Sequence, residues 1–433
     1  MSGRYRELLL FISGALAGHV LQDANGALSF AYEPAYSGPP VSLSMPITPL
    51  TYSQRIIRPY LQGLLPDDPT VRADIANLYG CSSENPFALL SHIGLDCPGA
   101  VQLVPEDSAS LVKSRSGDLV ELSSSDLESR LRLLREHASS PWDANHEGRW
   151  SLGGAQSKMA LRYQDGHWYD CEGSEPTTHI LKPGVTGYDN QALDEYLCQR
   201  VALKMRLPAA HVEYLTFGSE HAVSIQRYDR IIDADGTVTR VHQEDLCQAL
   251  GVDPNRKYAE QGGPSSPDVL ALLGTTKANA AHNLQLFVLY LLFNYLMGAT
   301  DAHAKNYSIL LGAGSTAVLA LLYDVASIAP YQSIAPRRRK PLRAAMSIGG
   351  ENRFGMLDNR HLEQLSHDEN LVTAGVTLEW ITSSAERMAT QMPTALQSVL
   401  DEAGITHLAG IEQVGPALTR EIGTNCRRLL ERL

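Results

Sequence analysis

Basic residues are scarce relative to acidic ones. The chain of 433 residues carries 36 Lys and Arg against 48 Asp and Glu, a formal net charge of −12. A protein whose main work is to coat nucleic acid needs a basic surface, so that class is excluded, although a local basic patch is not. Cysteine is sparse too. The six, at 81, 97, 171, 198, 247 and 426, form no CxxC pair and no Cys/His cluster with zinc-ligand spacing. Scattered single thiols fit a reducing compartment rather than a disulfide framework. Internal repeats and low-complexity tracts are missing. With 44% hydrophobic and 19% charged residues, the composition excludes disordered, collagen-like and coiled-coil chains and allows a large core. Long hydrophobic runs are missing as well. The most apolar stretch, Leu284–Met297, spans 14 residues and holds Gln285 and Asn294, so it reads as a buried core helix, too short and polar to cross a bilayer. The opening segment up to Val20 lacks a convincing small-x-small cleavage site and reads as a strand and turn rather than a signal peptide. A cytoplasmic protein with no membrane attachment is expected.

The length predicts two or three units, at roughly 100–200 residues per domain. Strands are expected at Leu8–Ile12, Leu28–Tyr32 and Val41–Met45, and helices at 54–65 and 71–79, with Pro66 and Pro69 punctuating between them. That is a small α+β unit. Ser123-Ser-Ser-Asp126 reads as the capped start of an amphipathic helix that Ser139-Ser-Pro141 ends. Beyond Arg149, strands are expected at Met159–Tyr163, Trp168–Asp170, His179–Lys182 and 222–228, interrupted by a helix over Gln191–Met205. After about residue 242 the pattern is almost wholly helical. The order is a strand-rich lobe, a short connection, then a helical lobe.

Three local signals carry chemistry. Trp150-Ser-Leu-Gly-Gly-Ala-Gln-Ser-Lys158 leads into a strand, and adjacent glycines let a backbone present N–H groups to an anion. Alone, it reads first as an ordinary Gly-Gly turn, since it matches neither GxGxxG nor GxxxxGK[ST]. The second is Ala299-Thr-Asp-Ala-His-Ala-Lys-Asn306. Its offsets suit a phosphoryl-transfer loop: Asp301 to orient and deprotonate a hydroxyl, Lys305 near the transferred phosphate, Asn306 on magnesium. A polar capping loop is the competing reading. The third is Tyr323-Asp324-Val325 after an apolar run, where an aspartate would bridge magnesium to phosphates. Lys182, in Ile180-Leu-Lys-Pro183, is a strand lysine able to pair phosphate oxygens, and Glu195 is its partner by kinase analogy. The order (Gly loop, strand Lys, helix Glu, hinge, Asp/Asn loop, metal Asp) is more specific than any member.

On these residues the chain resembles the HipA family of serine/threonine kinase toxins. The blocks are Ser151–Lys158, His179–Pro183, Arg227-Tyr-Asp-Arg230, His242-Gln-Glu-Asp-Leu-Cys-Gln-Ala-Leu-Gly251, Lys257-Tyr258 with Gly262-Gly-Pro-Ser265, Gly298–Asn306, Tyr323-Asp-Val325 and Met346-Ser-Ile-Gly349. The first hundred residues look like that family's N-terminal subdomain. The resemblance implies an α+β, atypical protein-kinase-like bilobal fold, with a strand-rich N-terminal lobe and an all-helical C-terminal lobe. It implies a division into 1–148, 149–228 and 229–433, and a nucleotide in the cleft between the lobes. ATP and Mg²⁺ are the implied cofactors. By motif position, Asp301 is the catalytic base, and Asn306 and Asp324 are metal ligands. Nucleotide contacts fall to Gly153, Gly154, Ala155, Gln156, Lys158, Lys182, Gln226, Tyr228, Asp229, His303 and Lys305. Ser151 is both at the nucleotide and the autophosphorylated serine. Gln226 stands where an acidic residue is the pattern, and Ser157 and Met159 differ from the commonest loop residues. The implied partners are a HipB-like helix-turn-helix antitoxin, operator DNA only through that antitoxin, and a protein substrate such as glutamyl-tRNA synthetase. A nucleotide-binding corepressor without kinase activity and a small-molecule kinase are the alternatives. His242 reads as a structural hydrogen-bonding residue. Arg337-Arg-Arg-Lys340 with Arg343 is the one dense basic run, either a solvated loop or a phosphate contact.

Overall fold

The computed structural model describes residues 6–136, 150–332 and 342–433. The basic run Arg337–Lys340, Ser139–Pro141 and Arg149 lie outside them. Two compact units emerge. Unit 1 takes Met1–Pro183, Thr216–Asn255 and Ser308–Ala317, and unit 2 takes Gly184–Leu215, Arg256–Tyr307 and Val318–Leu433.

Unit 1 opens with β1 (Arg6–Ile12), β2 (Ala15–Gln22), β3 (Leu28–Tyr32) and β4 (Tyr52–Ser53), then α1 (Gln54–Gly63), α2 (Pro69–Tyr79), α3 (Pro86–Ile93), β5 (Val101–Val104) and α4 (Ala109–Ser114). The strands form an antiparallel sheet in the order β4-β3-β2-β1-β5. β1 is apolar on both faces because both are covered. Leu9 and Phe11 pack with Val104, Ala109 and Val112, while Leu8 and Leu10 are equally buried. The turn expected near the start is Ser13-Gly14, both at positive φ. Gly18 lies within β2, where a Cβ would meet Ala31 O at 2.3 Å, so its glycine serves close packing rather than a turn.

β6 (Leu119–Leu122), α5 (Ser124–Glu136), β7 (Met159–Gln164), β8 (His167–Cys171) and β9 (His179–Lys182) follow. The chain then passes through α6 (Gln191–Lys204) of unit 2 and re-enters unit 1 within β10 (Val212–Phe217), ahead of β11 (Glu220–Gln226). The second sheet runs β10-β11-β9-β7-β8-β6. β12 (Arg230–Ile232) and β13 (Val238–Arg240) make a hairpin, and β14 (Gln243–Asp245), capped onto α7 (Leu246–Ala249), pairs with β15 (Ser308–Gly312).

Unit 2 adds α8 (Ser266–Gly274) and α9 (Ala280–Met297), then takes over the chain within β16 (Thr316–Leu319). After it come the hairpin β17 (Arg343–Ile348) and β18 (Glu351–Arg353), and α10 (Asn359–Ser366), α11 (Glu369–Thr373), α12 (Leu378–Leu400) and α13 (Ile411–Leu430). α9 is apolar all round because it is the core helix, with both Phe287 and Phe293 fully buried. The helical stretch Lys277–Met297, 21 residues at mean hydropathy 1.2, is long and apolar enough to cross a membrane on those grounds, but 72% of that window is buried inside the fold.

The structure corrects three expectations. The C-terminal region is not all-helical, since β17 and β18 lie in unit 2 and β14 and β15 interrupt the helical run. The compact units do not divide at 148 and 228: residues 229–255 belong with unit 1, tied there by buried ion pairs, and α6 belongs with unit 2, where Arg200 donates to Glu402 at 2.5 Å. Val41–Met45 is not a strand. Val41 N bonds Tyr32 Oη at 2.8 Å, Leu43 N bonds Glu244 Oε1 at 2.7 Å, and Met45 N turns back to Ser42 O at 3.0 Å. Arg343, the described end of the basic run, starts β17 and donates to Asn352 Oδ1 at 2.8 Å.

Candidate active site

The first group of residues stands in unit 1, on three adjacent strands. Ser151–Lys158 runs directly into β7, whose neighbour β9 ends with Lys182, whose other neighbour β11 ends with Gln226. The register sets Met159 opposite Leu181, Lys182 opposite Val223 and Gln226 opposite His179. Neighbouring strands lie about 4.8 Å apart, so glycine loop, lysine and hinge are held together by sheet geometry. The lysine is buried at the centre of that sheet.

The glycine segment is docked rather than loose. Ser151 N donates to Asp96 O at 2.9 Å, and Asp67 N donates to Gly154 O at 3.0 Å. Ser151 is 0% exposed, and its hydroxyl donates to Leu64 O at 2.7 Å. Gly154 takes φ +100, a region that favours glycine, and a Cβ there would stand 2.6 Å from Lys158 Nζ. That ammonium is folded back onto the loop, donating to Gly153 O at 2.6 Å. Ala155 is exposed, and Gln156 is half-buried.

Residues 226–230 alternate. Gln226 is exposed, and half-buried Tyr228 donates its hydroxyl to Gln243 Oε1. Arg227, Asp229 and Arg230 point inward. Asp229 does not face a nucleotide: its Oδ1 accepts from Arg227 Nε at 3.0 Å, and its Oδ2 from Gly99 N at 2.7 Å, Arg227 Nη2 at 2.8 Å and Arg230 Nη1 at 2.9 Å. Its carboxylate acceptors are consumed inside the fold, which revises the expected role. The same arginines reach Asp96, Arg227 at 3.2 Å and Arg230 at 2.9 Å, joined by Arg240 at 3.1 Å. Burial alone would push Asp96 up, but the three guanidiniums outweigh it and hold the carboxyl well below its usual range.

The second group stands in unit 2. α9 ends on Gly298, in the left-handed conformation. The following turn closes on itself: His303 N and Asn306 Nδ2 both donate to Asp301 O at 2.8 Å, and Asn306 N donates to His303 O at 2.9 Å. Asn306 thereby spends its amide donor inside the loop and keeps its carbonyl oxygen, the atom a cation uses. The Asp301 side chain remains 67% exposed, with His303 Nε2 3.8 Å from Oδ1 and the Tyr258 hydroxyl donating to the same oxygen. His303 is 3% exposed. Burial lowers its pKa to about 4 against the opposing pull of Asp301, so the ring is neutral near pH 7. Its Nδ1 is buried without a hydrogen-bond partner. Lys305 is buried as well.

Tyr323 joins the third motif to the second, its hydroxyl donating to Lys305 O at 2.8 Å. Upstream, Gln199 Nε2 on α6 donates to Leu322 O at 2.5 Å, and Tyr290 on α9 donates to Ala320 O at 3.2 Å. Downstream, Ile328 N returns to Gly298 O at 3.1 Å. Between these anchors Asp324 sits at φ +58, an uncommon conformation for a residue other than glycine and one that gathers at functional sites. Glu195 is buried on α6, whose Asp194 rather than Glu195 accepts from Ser327 N, at 3.0 Å. Asn306 and Asp324 supply two hard oxygen donors, which fits Mg²⁺: it takes one or two protein oxygens and leaves its other positions to water and substrate phosphates.

Comparison with known proteins identifies the family. Residues 150–399 match the family model of the HipA-like C-terminal domain, and residues 8–104 match that of the HipA N-terminal domain. A Sinorhizobium fredii protein named "Putative kinase Y4mE" is 34% identical over 415 residues, 93% of this chain and 96% of its own. The serine/threonine-protein kinase toxin HipA of Shewanella oneidensis is 27% identical, over 91% of this chain and 89% of its own. The HipA chain of the S. oneidensis complex with HipB and operator DNA superposes with a TM-score of 0.80 at 24% identity, covering 98% of this chain and 97% of that one. The fold is therefore α+β and kinase-like.

Proposed function

The chain belongs to the HipA family, and from that premise we propose that it is an ATP-dependent serine/threonine protein kinase acting as a growth-arresting toxin in the cytoplasm. The observation that carries the reading is the hydrogen bonding in unit 2 that ties Tyr258 and Asn306 to Asp301 and, through Tyr323, the segment bearing Asp324 to Lys305. Phosphoryl transfer needs little covalent chemistry from a protein; it needs a base, cation ligands and fixed positions. Asp301 accepts the proton of the substrate hydroxyl as that oxygen bonds the γ-phosphorus. The bond from phosphorus to the β–γ bridging oxygen breaks, and ADP leaves. Asn306 and Asp324 would hold Mg²⁺, which when bound offsets the negative charge of the phosphates. Lys182, Lys158 and the N–H groups of Gly153–Gln156 engage phosphate oxygens, Gln226 and Tyr228 meet the adenine, and neutral His303 and Lys305 line the nucleotide. Ser151 is the site of autophosphorylation. The protein substrate is a translation component, an aminoacyl-tRNA synthetase such as the glutamyl enzyme, whose loss would halt growth. A HipB-like helix-turn-helix antitoxin neutralises the toxin and brings it to operator DNA.

The test is incubation of the protein with labelled ATP, Mg²⁺ and a cell lysate. A labelled protein band supports the reading, a labelled metabolite points to a small-molecule kinase, and no label beyond bound nucleotide points to a corepressor. Asp301→Asn is expected to abolish transfer while keeping ATP binding. Asp324→Asn is expected to weaken Mg·ATP binding as well, with the fold kept because Asn tolerates a left-handed backbone. Near wild-type transfer by Asp301→Asn would remove it as the base.

A further inference from the structure

The block Lys257-Tyr258 with Gly262-Gly-Pro-Ser265 has no part in the phosphate chemistry just described, yet it delivers a hydroxyl to Asp301. We propose that Tyr258 is the positioning residue of the catalytic base, and that residues 256–265 are a rigid frame built to hold it. The proposal rests on Asp301 being the base, and it adds what fixes that base in place.

An aspartate whose side chain is 67% exposed is free to turn about both its side-chain torsions. Random orientation of a base is costly, since small misplacements at the reacting centre lose large factors in rate. Tyr258 removes that freedom. Its hydroxyl donates to Asp301 Oδ1, leaving Oδ2 to meet the hydroxyl of the phosphate acceptor. The tyrosine ring is itself held edge-on to the buried His303 ring, centroids 4.8 Å apart at 83°. His303 in turn belongs to the Asp301 turn through its N–H on Asp301 O. Base, tyrosine and histidine thus brace one another.

The frame explains the glycines. Tyr258 O accepts from Gln261 N at 3.0 Å and from Gly263 N at 2.9 Å, so the chain curls back under the tyrosine. Arg256 Nη2 donates to Gly262 O at 2.8 Å, closing the other side. Gly262 takes φ +78, and a Cβ on Gly263 would stand 1.7 Å from Arg256 O. No residue with a side chain fits there without moving the backbone that carries Tyr258. The frame then locks into α8. Ser265 N and Oγ both bond Asp268 Oδ2, at 2.8 and 2.6 Å, and Ser266 Oγ donates to Ser347 O at 2.6 Å.

Tyr258→Phe deletes one oxygen and keeps the ring on His303, so the frame and fold should survive. The experiment compares wild type and Tyr258→Phe for transfer to the protein acceptor, KM for ATP and melting temperature. The expected result is a fall in kcat of about ten- to a hundredfold, the range of a lost hydrogen bond to a charged group, with KM for ATP and melting temperature unchanged. Gly263→Ala should also lose kcat, through displacement of the frame. Unchanged kcat in Tyr258→Phe overturns the proposal. So does a rise in kcat, which would make Tyr258 a cap that the acceptor displaces. A joint loss of kcat, ATP affinity and melting temperature also overturns it, as the mark of a structural role. No transfer by wild type is a different outcome, which overturns the kinase reading itself.

Discussion

Ser151 is held where a phosphate cannot go. Its hydroxyl is fully buried and donates to Leu64 O, while its backbone N–H is spent on Asp96 O. A phosphoserine carries about −1.5 to −2 charges near neutral pH, and its esterified Oγ has no proton left to donate to Leu64 O. Phosphorylation therefore requires the segment 151–158 to leave its dock first and keeps it from returning, and under the proposed function that takes the loop's N–H groups and Lys158 away from the nucleotide. Ser151→Asp reproduces the charge and is expected to bind Mg·ATP more weakly than wild type. Ser151→Ala loses one hydrogen bond, about 1 kcal/mol, and should keep its affinity. Calorimetric titration of the three proteins decides, and equal affinities for Ser151→Asp and wild type would rule out an ejected loop. Asp301, Asn306 and Asp324 were candidates in the sequence because each sits in a short motif whose spacing suits phosphoryl transfer, and Ser151 was one only through the family resemblance. Sequence reading missed Tyr258, which reaches Asp301 across 43 residues, a separation at which no periodicity operates. It misplaced Asp229 for a related reason. An aspartate between two arginines reads as a polar loop residue until Asp96, far away in the chain, shows that all of them turn inward.

At the scale of elements, the His242-Gln-Glu-Asp245 block is a clasp on the segment 41–45. His242 Nε2 bonds Val41 O at 3.1 Å, Glu244 Oε1 accepts from Leu43 N, and Asp245 caps α7 in a reciprocal box with Gln248. The structural part expected of His242 is what this contact shows. Strands and helices with clean periodicity, β3, β9 and α6 among them, were legible to within a residue or two. The irregular segment at 41–45 was not, because its pairing is set by side chains some two hundred residues later. The clasp titrates. Burial pushes Glu244 up to about 8 against the Leu43 N–H that favours its charge, so the folded protein keeps it protonated near pH 7 while the unfolded chain ionises it near 4.5. The folded state then binds more protons, and this contribution to stability is complete below pH 4.5 and lost as pH rises through 8. His242 and His303 run the other way. Both are lowered by burial to about 4, so their contribution grows from pH 4 to 6.5 and is constant above it. Between pH 6.5 and 8 only the Glu244 contribution of these three is changing. Wild type should lose melting temperature across that window, and Glu244→Gln, which stays neutral, should lose less. Parallel curves for the two proteins would show that Glu244 is ionised in the fold.

For the whole molecule, the division that the resemblance implies differs from the compact units where the chain leaves and re-enters them, since continuity along a sequence says nothing of which segments pack together. What makes residues 96–99 and 227–240 one body is a buried cluster of three guanidiniums and two carboxylates, with the side chains of Asp96, Arg227, Asp229 and Arg230 each 5% exposed or less. Removing one member of such a cluster costs on the order of 3–5 kcal/mol, because its partners are left as buried, uncompensated charge. Asp96 is the member with the most at stake: without it, three arginines face the single carboxylate of Asp229, and the Thr177 hydroxyl loses its acceptor at 2.7 Å. Asp96→Ala is therefore expected to lower the unfolding free energy measured in urea by that order. The loss should also have a location. Hydrogen exchange should quicken in β5 and in the β12–β13 hairpin, which flank the cluster in unit 1, while α9 and α12 in unit 2 keep their protection. Arg240, the outermost arginine at 9% side-chain exposure, gives the graded control. Arg240→Ala leaves two arginines for two carboxylates and restores charge balance, so it should cost less than Asp96→Ala despite removing the longer side chain. Equal costs for the two, or exchange quickening as much in α9 as in β5, would mean that the cluster is not what holds unit 1 together.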